Sequence, residues 1–579
     1  LKINKRIAIL GGGPSGLFMF KRLVDANYAN VSIDIFEKKS QLGAGMPYST
    51  DGANTEHITN VSGNEIPELV TPVAEWLKTV PRDTLNRFNI DAAAFNDYKV
   101  FPRLLFGQYL SAQFHLLMLQ AKAAGIATHI HYESLVTDIS DYPQQETVTV
   151  IIADGSRFEY DQVIICTGHN WPAKHEGTVP GYFDSPYPPA KLGFKANHTV
   201  AIKGSSLTAI DAIRTLARHN GSFTKNTDGR ISYHLADDSP QFKLIMHSRN
   251  GLLPAIRFHL EDSHLLKDAV LSPEVISQNK AENGGFLSLD FVFEKNFKQL
   301  ISQKDPDFYA QIKDMQIEDF VPFVMDLRER VEPFNLFKAE YLEAEKSIKR
   351  KESVYWKEML AVLSFAMNYP AKYFSAEDMQ RLQKTLMPLI SIVIAFVPQS
   401  SVTELLALHH AGVLDIVSVG DDSYTEPVKT GGIIYHYTDD DGKELSPGFK
   451  TFVDCVGQPH LSFEDFPYKS LINKGTISPA RLKYHTAAAG LKAITNGSKQ
   501  THTDGKGNYY LNVPGITIND NFQVVDEYGA FNNRIYVMAV PYIGGYNPDY
   551  SGLDFCEAAS ASIVKCIFTP NEHTAAISA

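Results

Sequence analysis

A chain of 579 residues is too long for one hydrophobic core, so two or three structural units are expected. Lys and Arg number 54 against 66 Asp and Glu, a formal charge of −12 with no long single-sign run. Such a surface is a poor match for phosphate backbones and argues against nucleic acid as a partner. It leaves room for small anions held by backbone N–H groups and a few local arginines.

The four cysteines, Cys166, Cys455, Cys556 and Cys566, include no C-x-x-C pair. Neither a zinc ribbon nor a dithiol redox pair is expected, and the plain reading is free thiols in a reducing compartment. No paired carboxylates, metal-ligand cluster or Ser/His/Asp order stands out, so no metal and no side-chain catalytic set is assigned. A strand pattern begins at Arg6, leaving no space for a signal peptide. The most apolar stretch, Leu386 to Val397, is too short to span a bilayer and contains Pro388. The expectation is a cytoplasmic protein without a membrane partner, acting on a small molecule, its oligomeric state open.

In chain order, the first element is the apolar run Ile7-Ala8-Ile9-Leu10, suited to the centre of a parallel sheet. Gly11-Gly12-Gly13-Pro14-Ser15-Gly16 follows, then a helical pattern through Leu17, Phe18, Phe20, Leu23 and Val24. A second strand pattern, Val31 to Phe36, ends on Glu37-Lys38. This is G-x-G-x-x-G between strand and helix, with an acid about 20 residues further on. Gly11 makes the tight turn, Gly13 admits a pyrophosphate close to the backbone, and Gly16 lets helix and strand approach. The helix N-terminus offers free N–H groups to the pyrophosphate, and Glu37 offers an acceptor to a ribose. A lone glycine pattern can be no more than a turn; four parts in register argue for a dinucleotide site.

Downstream features favour FAD there. A second glycine turn follows, Gly43-Ala44-Gly45-Met46-Pro47-Tyr48, and then the strand pattern Ser134-Leu135-Val136-Thr137-Asp138-Ile139 after Gly125. The buried strand Val163-Ile164-Ile165-Cys166 closes on Thr167-Gly168-His169. With these residues the chain resembles the FAD–NAD(P)-binding oxidoreductases related to flavin-containing and N-hydroxylating monooxygenases, over residues 1–258 and 402–579. The resemblance implies that the segment containing His57, Asn60 and Val61 runs along the isoalloxazine. It also implies that Arg103, ahead of a helix carrying Gly107 and Tyr109, belongs to the cofactor site. The plain alternative for Asn60 is a turn residue capping its own loop.

A second strand–turn–helix follows: Thr199-Val200-Ala201-Ile202-Lys203, then Gly204-Ser205-Ser206-Leu207-Thr208-Ala209. Ser206 and Ala209 stand where the second and third glycines would be. The next strand, Phe242 to His247, ends on Ser248-Arg249 with no carboxylate. An acid there would hold a free ribose 2′-OH, whereas an Arg accommodates the 2′-phosphate of NADP. NADPH is therefore expected at this site; the plain alternative for Arg249 is an exposed strand end. The chain's S-L-T-A-I-D and S-R-N-G-L-L-P also resemble the way this family writes its NAD(P) domain, and Val453-Asp454-Cys455-Val456-Gly457 repeats the closure seen at Gly168.

Residues 259–401 break the α/β rhythm with helical periodicity, for example Phe337 to Val362. They are expected to form a helical insertion in the NADP domain that covers the cleft and whose removal leaves both nucleotide domains foldable. Arg257, His259, Arg328 and Arg330 are candidates there for an anionic substrate, against the plainer reading of surface ion pairs. The chain then returns to the FAD domain with the strand pattern Asn533 to Val540. Where the family has Gly-Asp, Pro541-Tyr542 stands instead. Gly544 to Leu553 leads into an Ala-rich helix whose N-terminus, at Gly552-Leu553, is placed at the flavin's pyrimidine edge.

The expected fold is α/β, with two Rossmann-like dinucleotide-binding domains, for FAD and NADP, and a helical insertion. The FAD domain takes residues 1–198 and 461–579, the NADP domain 199–258 and 402–460. The expected function is an NADPH-utilising, FAD-dependent monooxygenase, with N-hydroxylation of a small polar metabolite as the favoured sub-class. The Baeyer–Villiger signature is not met, because Val179-Pro180-Gly181-Tyr182-Phe183-Asp184-Ser185 has its glycine but no histidine. Two alternatives stand beside it: a flavin reductase or dehydrogenase without oxygen transfer, and a non-catalytic nucleotide-binding redox sensor.

Overall fold

The computed structural model describes residues 5–28, 30–261, 271–458, 460–549 and 552–569. The N-terminal apolar run forms β1 (Lys5–Leu10), with Ile7 to Leu10 fully buried. Helix α1 (Pro14–Ala26) begins on Pro14, where a missing N–H costs nothing, and ends at Asn27 in the left-handed conformation. Then come β2 (Val31–Phe36), α2 (Arg103–Ala123) and β3 (Ala127–His131). A three-stranded antiparallel meander, Val136–Tyr142, Thr147–Ile152 and Arg157–Tyr160, precedes β4 (Gln162–Ile165).

The second unit repeats this plan. Strand β5 (Thr199–Lys203), helix α3 (Leu207–Asn220) and strand β6 (Lys243–Ser248) follow one another, apart from a hairpin of Gly221–Lys225 and Ile231–Leu235. Helix α4 (Gln399–His410) and strand β7 (Leu414–Ser418) come next. A second meander runs through Tyr424–Pro427, Ile433–Thr438 and Gly448–Phe449 before β8 (Thr451–Asp454). The chain closes on β9 (Phe531–Val537) and α5 (Leu553–Phe568).

Sheet order makes the repeat explicit. The first sheet runs Gln523–Val525, β9, β4, β1, β2, β3; the second runs Tyr182–Phe183, β8, β5, β6, β7. Leu10 pairs with Phe36 in the first, and Lys203 with His247 in the second. Gly11 N–H donates to the Phe36 carbonyl at 2.8 Å, and Gly204 N–H to the His247 carbonyl at 2.7 Å. By register, Glu37-Lys38 and Ser248-Arg249 therefore occupy equivalent places at the carboxyl end of the second strand of each unit. Neither the second meander nor the hairpin was expected from the sequence.

The region between β6 and α4 is helical, from Pro273–Glu282 to Met387–Val393. Among the described residues its only strand-like contacts are the bridges Leu287↔Phe374 and, at its neck, Ile256↔Val397. The expected continuous periodicity from Phe337 to Val362 is two helices, Pro333–Arg350 and Tyr355–Asn368, broken where Lys351 takes φ 56°. The neck is tight, with Arg257 N–H on the Val397 carbonyl at 3.0 Å and Val397 N–H on the Ala255 carbonyl at 3.0 Å.

The insert shares the cores of both nucleotide units, which bears on the expectation that it can be removed. Leu287, Phe293, Phe297, Phe320, Met359 and Leu363 belong to the same buried cluster as Ile9, Phe18 and Val537 of the first sheet. Phe334, Phe337 and Ala344 join the core of the second unit instead. Hydrogen bonds reinforce the first connection. Tyr373 hydroxyl donates to Asp520 at 2.7 Å, and Asn368 Oδ1 accepts from Asp549 N–H at 2.9 Å. The insert thus straps both nucleotide units. Among the described residues, no helix is long and apolar enough to cross a membrane.

Candidate dinucleotide sites

At the first loop, Gly11 takes φ +107°, and a Cβ there would lie 2.7 Å from the Cys166 carbonyl oxygen. A Cβ on Gly16 would lie 2.1 Å from the Gly11 carbonyl oxygen, so helix and turn meet with no room for a side chain. Gly13, before Pro14, is the N-cap of α1 with φ −76° and ψ −164°, and no side chain caps the helix. Its first N–H groups are therefore left open to an anion. Gly45, at φ +58° beside Met46, closes the far side, 3.2 Å from where a Gly13 Cβ would sit.

Glu37 is buried and accepts from Gly12 N–H at 2.8 Å and Lys39 N–H at 2.9 Å, which fixes its carboxylate beside the loop. Lys38 is exposed. Val136 opens the first meander opposite Ile152. Thr167, beyond β4 and next to Gly168, has a buried Oγ1 with no hydrogen-bond partner. A buried hydroxyl without a partner costs about 1–3 kcal/mol, which a polar cofactor atom would relieve. Ser15 Oγ lies 3.4 Å from Cys556 Sγ, so the open ends of α1 and α5 lie together. Gly552 caps α5 with no side-chain hydrogen bond, and Leu553 is buried behind it. Tyr550 and Ser551 of the loop leading there lie outside the described residues.

The second loop has nearly the same backbone. Gly204 takes φ +101°, with a would-be Cβ 3.0 Å from the Cys455 carbonyl oxygen. Ser206 is the N-cap of α3 with φ −88° and ψ −163°, again without a side-chain cap, and Leu207 opens the helix. Ser205 Oγ donates to the Leu252 carbonyl at 2.7 Å, which pins the turn. Gly457 takes φ +100°. Ser248, the counterpart of Glu37, has a buried Oγ without a partner. The Arg249 side chain is 63% exposed and lies 3.7 Å from the Asp421 carboxylate.

Between the units lies a buried network that the sequence did not disclose. Arg103 forms a hydrogen-bonded ion pair with Asp211 of α3 and donates from Nε to the Ile58 carbonyl at 3.1 Å. Tyr187 hydroxyl donates to the same Asp211 carboxylate at 2.7 Å. Burial is the largest influence and opposes ionisation of Asp211, but Arg103, His57 and the hydrogen bonds from Tyr187 and Arg103 together hold the carboxyl below the usual range. His57 Nδ1 accepts from Asn54 N–H at 2.9 Å, while Nε2 lies 3.1 Å from Thr215 Oγ1. Burial lowers the His57 pKa, so the ring stays neutral. Arg103 therefore spends its charge on the second unit. Removing either partner would strand a buried charge, a loss of about 3–5 kcal/mol.

The four residues considered for an anionic substrate are engaged otherwise. Arg257 is buried, bonded to the Asn60 carbonyl, to Ser62 Oγ at 2.6 Å and to Glu65. Asn60 and its neighbour Val61 thus sit on the interface between the units. Arg328 is buried against Glu340, which also takes Lys357 at 2.9 Å. Arg330 pairs with Asp326 at 2.7 Å, and His259 rests its ring against Tyr98. The two crossovers between units run together, with Asn170 N–H donating to Gln458 Oε1 at 2.7 Å and Gln458 Nε2 to the Asn170 carbonyl at 2.5 Å.

Residues 8–170, which hold this first loop, match the sequence profile described as FAD-NAD(P)-binding. The first unit is an FAD-NAD(P)-binding domain. Residues 272–394, within the helical insert, match the profile described as YdhS-like middle domain. The chain is 29% identical over 476 residues to the Uncharacterized protein YdhS of Escherichia coli (strain K12), spanning 81% of this chain and 86% of that protein. Among solved structures, L-lysine 6-monooxygenase from Pseudomonas syringae aligns over 97% of this chain and 98% of its own at 12% identity and TM-score 0.43. The cadaverine monooxygenase DfoA from Erwinia amylovora aligns over 98% and 95% at 12% identity and TM-score 0.41.

Proposed function

We propose that FAD occupies the first loop and NADPH the second, and that the chain is an NADPH-oxidising flavin monooxygenase acting on a small polar metabolite. The observation that carries the reading is the pair of uncapped helix N-termini, Gly13 and Ser206, with matching backbones at the ends of parallel strands in two sheets. In open α/β sheets ligands bind beyond the carboxyl ends of the strands, where both loops lie. When bound, FAD supplies two-electron chemistry between NADPH and an acceptor. The protein's part is to hold the pyrophosphates at the helix ends, to offer Glu37 to one ribose, and to keep the units in register through Arg103 and Asp211.

A thiol relay is a poor match. Cys166, Cys455 and Cys556 are buried. Burial pushes the Cys556 thiol up to about 11 and the other two well above the ordinary value, which leaves them weak nucleophiles. Oxygen or a small organic acceptor is the better terminus. With candidate amines, aerobic NADPH oxidation should place label from ¹⁸O₂ in the product. NADPH oxidation balanced wholly by hydrogen peroxide, or undiminished without oxygen when a quinone is supplied, would mark a reductase instead.

Nucleotide choice rests on Arg249. The 2′-phosphate of NADPH carries nearly two negative charges, and the guanidinium, with the unpartnered Ser248 hydroxyl, would receive it. Exposure of Arg249 screens the contact, so roughly 1–2 kcal/mol is expected, or about five- to thirtyfold in affinity. Arg249→Ala should weaken NADPH by that factor and leave NADH nearly unchanged. Equal losses with both nucleotides in flavin-reduction kinetics would remove Arg249 from the site.

A further inference from the structure

Asp421 stands in the loop after β7, and its side chain, 84% exposed, faces Arg249 at 3.7 Å. The surrounding backbone fixes this meeting. Val419 N–H donates to the Ser248 carbonyl at 2.9 Å and Gly420 N–H to the Arg249 carbonyl at 3.0 Å, while Ser418 Oγ reaches the Arg249 carbonyl at 3.3 Å. The β7 loop therefore holds Asp421 next to the backbone of Arg249. Asp422 is also exposed, but it makes no ion pair within 4.0 Å of Arg249 among the described residues.

The repeat shows why this carboxylate matters. In the first unit the acid beyond the second strand is Glu37, bonded to Gly12 and Lys39 N–H groups. Its counterpart Ser248 carries no charge, and the acid paired with Arg249 comes from a different element, the loop after β7. We infer that Asp421 is a second determinant of nucleotide choice, acting as a counterweight to Arg249. It neutralises the guanidinium while the site is empty. A 2′-phosphate must then displace it and lie within a few ångströms of a like charge. The result is a tempered preference for NADPH. This rests on the nucleotide assignment proposed above.

The test is calorimetric titration of the FAD-loaded protein with adenosine 2′,5′-bisphosphate and with AMP, which differ only in the 2′-phosphate. Two unit charges about 4 Å apart in water interact by about one kcal/mol, and salt screens them. Asp421→Asn should therefore tighten the bisphosphate about three- to tenfold at low salt and leave AMP unchanged. The gain should shrink at about 0.5 M salt, where the screening length is a few ångströms. Asp422→Asn should produce much less. Because Asp421 is largely exposed, folding is not at stake, and melting curves should coincide. If Asp421→Asn changes nothing while Arg249→Ala weakens the bisphosphate, the counterweight is overturned and the nucleotide assignment stands. If Arg249→Ala also leaves the bisphosphate untouched, the assignment itself falls, and the counterweight with it.

Discussion

Gly13→Glu should yield a folded, colourless protein. Gly13 has extended backbone angles that any residue adopts, so strain at this position is small. The added Cβ would lie 3.2 Å from Gly45 Cα, which asks the second glycine turn to yield by a few tenths of an ångström. The carboxylate would then lie at the open end of α1, where the free N–H groups and the helix dipole favour negative charge. The substitution thus stabilises the helix end with the same interactions that a pyrophosphate would use, and it repels that pyrophosphate. Flavin content of purified protein should fall from about one per chain by at least tenfold, equivalent to about 1.4 kcal/mol or more. Gly13→Ala, which adds the Cβ without the charge, should retain most of the flavin. A Gly13→Glu protein that stays yellow at full stoichiometry would displace the cofactor from this loop. Wild-type protein that is folded and takes up no added FAD would do the same.

Excision of residues 259–401 should leave neither nucleotide unit stably folded. The neck is narrow, since Ala255 is hydrogen-bonded to Val397, a few residues before the second cut. The obstacle is the core. Phe293, Phe297, Phe320, Met359 and Leu363 are buried in the cluster that includes the first sheet, and Phe334 stacks on His409 of α4 with ring centroids 3.7 Å apart. Each large apolar side chain buried contributes about 1.5–3 kcal/mol, and a domain's whole margin is about 5–15 kcal/mol. Losing several such contacts, with the Asp520 and Asp549 hydrogen bonds, exceeds that margin. The excised chain should sediment as aggregate or show no cooperative melt. A soluble excised chain that melts cooperatively and binds FAD would show that the shared core is dispensable.

The insert shows what periodicity can and cannot reveal. Helical periodicity in 259–401 discloses that these residues are helices, because amphipathic spacing is a local property. It does not disclose what their apolar faces pack against, because that depends on the path of a chain returning more than a hundred residues later. Only the assembled structure assigns Phe320 to one core and Phe337 to the other.

The nucleotide loops lie at the opposite extreme. Gly11, Gly13, Gly16 and Glu37 are legible because each answers a local demand, such as a positive φ, a close approach or an acceptor at a strand end. The second loop is legible despite Ser206 and Ala209, since the strand before it and the helix after it are equally plain. The second meander left a weaker signal, the alternation Ile433 to Thr438 before an Asp-rich turn ending in Gly442.

The amino-acid sequence by itself determined the two strand–glycine–helix units, their order, and the absence of a carboxylate at Ser248-Arg249, since all of these are written in neighbouring residues. The tertiary structure alone decided which charges meet. It brings Arg103 to Asp211, Arg257 to Glu65 and Asp421 to Arg249 from distant parts of the chain. Side-chain charge acts over a few ångströms of space and not along the sequence, so a carboxylate's partner becomes known only when the fold has placed both.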